Sequence, residues 1–180
     1  MGFRYPTFLE YLKHEYAGPF MATDILIRYF DGKKDGIVLI ERKFEPLGLA
    51  IPGGMAENMT FTQNCTKESK EETGLDVTID TPNRPLCEFS DPSGDPRASI
   101  ATVVYTAQGK GELKPHKDED AKNARVFSLD ELADLLDSGV WAFPKRHPKI
   151  IALYLEDNLD KLSVDYQKKV LNYMQKVGLK

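Results

Sequence analysis

Between Pro52 and Leu75 the chain reads Pro-Gly-Gly-Met-Ala-Glu-Asn-Met-Thr-Phe-Thr-Gln-Asn-Cys-Thr-Lys-Glu-Ser-Lys-Glu-Glu-Thr-Gly-Leu, the stretch that most narrows what the chain can fold into. Gly53-Gly54 marks a tight turn after the apolar run Leu49-Ala50-Ile51. Thr60, with Gln63 three residues later, is a capping-box pattern that opens a helix. Gly74 stands where a left-handed C-terminal cap closes it. Inside that helix lie Glu68, Glu71 and Glu72. At about 100° per residue, Glu71 falls about 60° to one side of Glu68 and Glu72 about 40° to the other, so the carboxylates share a face. Like charges so spaced destabilise a helix by a few tenths of a kcal/mol. A hard divalent cation reverses that sign, because Mg²⁺ takes oxygen ligands from one or two carboxylates and from substrate phosphates. A solvated acidic face is the ordinary reading of such a triplet. The glycine turn and the capped helix around it favour the metal-binding one.

The same residues resemble the Nudix box, G-x5-E-x7-R-E-U-x-E-E-x-G-U with U aliphatic. Lys67-Glu68-Ser69-Lys70-Glu71-Glu72-Thr73-Gly74-Leu75 overlays its second half. Lys67 replaces the arginine, Ser69 replaces the aliphatic residue, and the loop is one residue short. The first box glutamate falls on Met59 or Thr60, neither of them acidic. In the family that glutamate and that arginine pair to brace the loop, so the brace is expected to be replaced as a unit. The resemblance implies an α/β fold, the Nudix α/β/α sandwich with a mixed β-sheet, and extra helices at the C-terminal end. It implies Mg²⁺ or Mn²⁺ held by Glu68 and Glu72 with the Gly53 carbonyl, and a proton taken by Glu71, Glu72 or Glu119.

The 180 residues suffice for one domain with a sizeable core, and 41% hydrophobic with 29% charged residues fits an ordinary globule. A net charge of -4 argues against a nucleic-acid partner. Cys65 and Cys87 do not make a disulfide framework, and Cys65, on the box helix, is expected to be a small buried residue or a reduced thiol. No apolar run reaches the length of a membrane span, and Arg4, Glu10 and Lys13 interrupt any signal-like core. A cytoplasmic protein with no membrane partner is the expectation.

Along the chain, residues 1–21 form an aromatic-rich segment with a short helix expected over Thr7–Tyr16. Strands are expected at Asp24–Phe30, Gly36–Lys43, Asp76–Ile79, Leu86–Phe89, Ala98–Ala107 and Arg125–Phe127. The unbroken apolar run of the second predicts burial on both faces. Gly109–Asn123 reads as a polar loop. Ser128-Leu129-Asp130-Glu131 is a second capping box, opening a helix that should lie across the sheet from the first. Helices are expected at His147–Glu156 and Ser163–Val177, as packing or homodimer elements. The family core is placed at about residues 22–138, and 140–180 is a C-terminal helical extension of the same single domain.

Arg42 ends the second strand, where the family often turns a basic residue to substrate phosphates. Ser90-Asp91-Pro92, a gap, then Asp95-Pro96-Arg97 is similar to a loop of microbial ADP-ribose pyrophosphatases within the family. The subgroup carries a proline about sixteen residues past the box, close to Pro92. Arg97, whose planar fork suits oxyanions, is the second substrate-binding candidate. Of the acids in the 109–123 loop, Glu119 is preferred and Asp120 comes next. These resemblances imply a hydrolase of a nucleoside diphosphate linked to another moiety, ADP-ribose foremost. The alternatives are a sensor of such a ligand that does not cleave it, and a hydrolase of NADH, nucleotide sugars or nucleoside triphosphates.

Overall fold

The computed structural model describes residues 18–116 and 120–180, together with Thr7 and Glu10. Most of the expected N-terminal helix, and Glu119, therefore lie outside the described residues. The elements run β1 (Phe20–Phe30), β2 (Asp35–Arg42), β3 (Leu49–Ala50), β4 (Gly53–Met55), α1 (Phe61–Thr73), β5 (Asp76–Ile79), β6 (Cys87–Phe89), β7 (Ile100–Lys110), β8 (Ala121–Phe127), α2 (Leu129–Leu135), α3 (His147–Glu156) and α4 (Val164–Lys176). All eight strands join one mixed sheet, whose main path is β3-β2-β1-β7-β5. Among the described strands β1 and β7 pair in parallel, over Phe20–Arg28 against Ile100–Gln108, and the other strand pairs are antiparallel.

The other edge of β1 is shared. Ala22–Asp24 pair with β4 and Arg28–Phe30 pair with β2, so the sheet forks at Ile25. The Ile25 N–H donates to the Pro52 carbonyl at the fork, 2.9 Å away. Asp24 is thereby set beside Gly53.

Alternation along the central strands separates two cores. Ile25, Ile27, Val38 and Ile40 face Cys65 of α1, and Leu26, Ile37 and Leu39 face α2, α3 and α4. The continuous apolar run of β2 is buried on both sides, as its sequence implies. The C-terminal helices share this second core with the sheet: Ile150, Ile151, Leu155, Val170 and Met174 are nearly inaccessible.

The caps of α1 and α2 form as their sequences require, each with reciprocal hydrogen bonds between the cap residue and the glutamine or glutamate three residues on. The expected polar loop is shorter than its composition suggests. Strand β7 continues to Lys110 and β8 begins at Ala121. In β8 the buried positions are Ala121, Ala124 and Val126, and two alanines give too weak an apolar signal to mark a strand.

Gly74 caps α1 at φ 78°, and a Cβ there would meet the Lys114 carbonyl oxygen at 2.4 Å. Gly111 has φ 107° with open space around it. Gly74→Ala should cost about 2 kcal/mol or more, backbone strain plus overpacking, and Gly111→Ala about 1 kcal/mol from strain alone. Urea midpoints of the two variants check the difference.

Candidate active site

The site begins at the elbow between β3 and β4. A Cβ on Gly53 would lie 2.1 Å from the Thr23 carbonyl oxygen, and one on Gly54 would lie 2.6 Å from the Glu68 carboxyl carbon. The absence of side chains therefore lets α1 press its carboxylates onto the turn. The Gly53 N–H donates to Glu72 Oε2 at 2.9 Å. Asn64, fully buried on α1, donates to Thr23 Oγ1 at 2.9 Å and locks the helix to β1.

Glu72 is 4% exposed. Burial pushes its carboxyl up to about 8, against the opposing Gly53 hydrogen bond and with the Glu68 charge adding to the rise. Burial also raises Glu68, and Lys67 partly offsets it. The Lys67 ammonium lies 2.9 Å from Glu71, 3.3 Å from Glu68 and 3.3 Å from Glu57. The Glu57 contact is a pair that stands in place of the expected loop brace. A brace persists as Lys67–Glu57, with the acid two or three positions earlier than the motif register places it. Ser69, in the aliphatic position of the box, is buried and donates to the Cys65 carbonyl at 2.7 Å, so its hydroxyl is satisfied inside the helix.

Gly53 and Gly54 also line a cavity of ≈ 120 Å³ with Asp24, Arg42, Arg97, Asp120, Phe143, Arg146 and His147. Both arginines singled out in the sequence reach it. They share the Phe143 ring with a third: the guanidinium carbons of Arg42, Arg97 and Arg146 lie 5.6, 5.3 and 4.9 Å from its centroid. Arg42 is buried, donates from Nε to the Pro46 carbonyl at 3.0 Å and approaches Asp120 at 3.5 Å. Arg97 forms a fork on Asp95, at 3.0 and 2.8 Å. Burial alone would raise Asp95, but Arg97 outweighs it and holds the carboxyl below its ordinary value.

Asp24 is raised by burial, against Arg146 and the 2.9 Å hydrogen bond from Thr102. His147 is 1% exposed and accepts the Ile51 N–H on Nδ1 at 3.1 Å. Burial, then Arg146 and Arg42, hold it well below the ordinary imidazole value, so it is neutral with its proton on Nε2.

Glu68, Glu71 and Glu72 stand outside the cavity wall, the first and last against the elbow and Glu71 turned to Lys67. Among the described residues, no three His, Cys, Asp or Glu side chains cluster so as to hold a metal between them. Sequence reasoning missed Asp24, Phe143, Arg146 and His147. Asp24 reads as a strand start and His147 as a helix start, and only the fork and the C-terminal packing bring them together.

The family model for the Nudix domain matches residues 19–153. Fold, box helix and matched residues agree: the chain belongs to the Nudix family and is a Nudix hydrolase. Similar solved structures include an ADP-ribose pyrophosphatase from Streptococcus suis, 25% identical with a TM-score of 0.58, covering 78% of this chain and 92% of that one. A MutT/nudix family protein from Enterococcus faecalis is 25% identical with a TM-score of 0.64, covering 95% of this chain and 76% of that one. The NUDIX domain of Shewanella oneidensis NrtR, complexed with ADP ribose, is 20% identical with a TM-score of 0.63, covering 84% of this chain and 99% of that one, a likeness of fold alone. No curated protein matches the sequence significantly. Among the described residues, no helix is long and apolar enough to cross a membrane.

In chelator, the folded state keeps the Glu72 proton up to about pH 8, whereas the unfolded chain releases it near the ordinary 4.5. Stability therefore falls as pH rises from about 4.5 to about 8, by on the order of a few kcal/mol across the window. Glu72→Gln should flatten that slope and be the more stable protein at the alkaline end. Urea titrations at several pH values, in chelator, read it.

Proposed function

We propose that the protein hydrolyses the pyrophosphate of a nucleoside diphosphate linked to a second moiety, with ADP-ribose yielding AMP and ribose 5-phosphate, in the presence of Mg²⁺ or Mn²⁺. The observation that carries this reading is the shared elbow. Gly53 and Gly54 bear the carboxylates of Glu72 and Glu68 and also form the wall of a cavity holding three arginines. A diphosphate lying at the elbow meets acids that can hold a cation and guanidiniums that can hold its oxygens.

The residues present fit a hard cation. Glu72 is buried and Glu68 partly buried, both carboxyls have raised proton affinity, and among the described residues the ammonium paired with them is Lys67, on Glu68. Oxygen donors from two carboxylates, completed by substrate phosphates and the Gly53 carbonyl, suit Mg²⁺ or Mn²⁺ without a third acid. A cation bound there would neutralise charge on the diphosphate and act as a Lewis acid.

The remaining work falls to side chains of this chain. Arg42 and Arg97 orient the phosphate oxygens. Water adds at one phosphorus and the bridging oxygen leaves with the other phosphate. Of the acids considered for the water's proton, Glu71 is held by Lys67 at 2.9 Å, whereas Glu72 lies at the elbow and binds a proton far more tightly than an ordinary carboxylate. Glu119 is the further acid for this step. The likeness to the Streptococcus suis ADP-ribose pyrophosphatase supports ADP-ribose as the substrate.

A panel of ADP-ribose, NADH, a nucleotide sugar and nucleoside triphosphates, each with Mg²⁺ and with Mn²⁺, tests the proposal. ADP-ribose should turn over fastest, and Glu72→Gln should lower kcat about a hundredfold or more. Undiminished turnover in that variant removes Glu72 from the chemistry. Thermal stabilisation by ADP-ribose with no product would instead make the protein a sensor of that ligand.

A further inference from the structure

Arg146 is 4% exposed and stands at the turn before α3, in the cavity wall. Its nearest carboxylates are too far for hydrogen bonds: Asp24 Oδ2 is 3.9 Å from Nε and Asp95 Oδ2 is 3.7 Å from Nη2. Nε and Nη1 of Arg146 and Nε2 of His147 are buried and have no hydrogen-bond partner. Because His147 Nδ1 accepts the Ile51 N–H, its Nε2 carries a proton, so all three atoms are donors.

Buried donors without acceptors are costly, and those on a charged group most of all. The neighbouring guanidiniums differ in this respect. Arg97 has committed its fork to Asp95 and Arg42 has committed Nε to Pro46. Of the three guanidiniums around Phe143, Arg146 is the one with two buried donors unmatched.

We infer that Arg146 is a substrate-contacting residue whose guanidinium, beside the His147 Nε2–H, grips a phosphate oxyanion entering the cavity from the elbow. The inference rests on the hydrolase reading of this site for its placement, and it adds a specificity determinant from the C-terminal part of the chain. An oxyanion supplies the acceptors that Asp24 and Asp95 hold out of reach, and Nη2 together with Nε or with Nη1 makes a planar fork that takes two of its oxygens at once. Uncharged sugars offer weaker acceptors and leave the guanidinium charge unmatched. The pocket thus favours a phosphate group of the substrate over an uncharged sugar.

Calorimetric titration of the full chain in chelator, at fixed ionic strength, tests this with inorganic phosphate, ribose 5-phosphate and ribose. Both phosphates should bind and ribose should not. Tighter binding of ribose 5-phosphate than of phosphate assigns the oxyanion to the sugar-phosphate half of the substrate, and equal binding assigns it to phosphate alone. Arg146→Met should weaken phosphate binding about tenfold or more. Should that variant not fold, Arg146→Lys decides, since it keeps the charge and loses the fork, and should bind measurably more weakly than wild type. Ribose binding as well as ribose 5-phosphate, or unchanged phosphate affinity in the folded variant, overturns the assignment. ADP-ribose turnover by a protein with no Arg146-dependent phosphate binding sinks the Arg146 role alone. Arg146-dependent phosphate binding without ADP-ribose turnover sinks the substrate alone.

Discussion

The close approach of α1 to the Gly53-Gly54 elbow is the constraint on which the site depends. Backbone of β1 and a carboxylate of α1 occupy the space that side chains at these positions would need. The contact is sealed by the hydrogen bond from Gly53 N–H to Glu72 and by Asn64 reaching Thr23. Neither bond is strong alone. Together they hold a buried acid against its preference for water, because the helix cannot retreat without opening the core around Cys65.

A second principle is the balance of charge at the fork of the sheet. Arg42, Arg97 and Arg146 gather on one aromatic ring, and Asp24, Asp95 and Asp120 stand among them. The acids are matched unequally. Asp95 is gripped bidentately, Asp120 is approached at 3.5 Å, and Asp24 leans on the Thr102 hydroxyl. Such uneven matching keeps cations together without cancelling each of them, a compromise suited to a site that must accept anionic material and release it.

Much of this architecture is legible in the linear sequence because it is encoded locally. The capping boxes at Thr60 and Ser128, the left-handed cap at Gly74 and the apolar run of β2 each follow from near neighbours. Glu68, Glu72, Arg42 and Arg97 could be singled out for the same reason, with the Nudix pattern supplying their context. What was hidden is non-local. Strand β8 draws its burial from pairing with β2 rather than from bulky residues. Glu57 meets Lys67 across the loop, outside the motif register that would have pointed to it. Asp24 and Arg146, 3.9 Å apart, are separated by most of the chain, and a histidine with no metal-ligand spacing gives no hint that it will be buried beside them.

That long separation bears on the order in which the molecule is made. One wall of the pocket, with β1, the elbow and α1, emerges from a ribosome well before Phe143 and Arg146 do. A nascent chain can therefore carry its acidic helix while lacking the cationic half of its binding site. Because α3 and α4 complete the same apolar core as the central strands, the delayed wall arrives together with the packing that closes the fold. Completion of the cavity wall and final consolidation of the core thus come as one event.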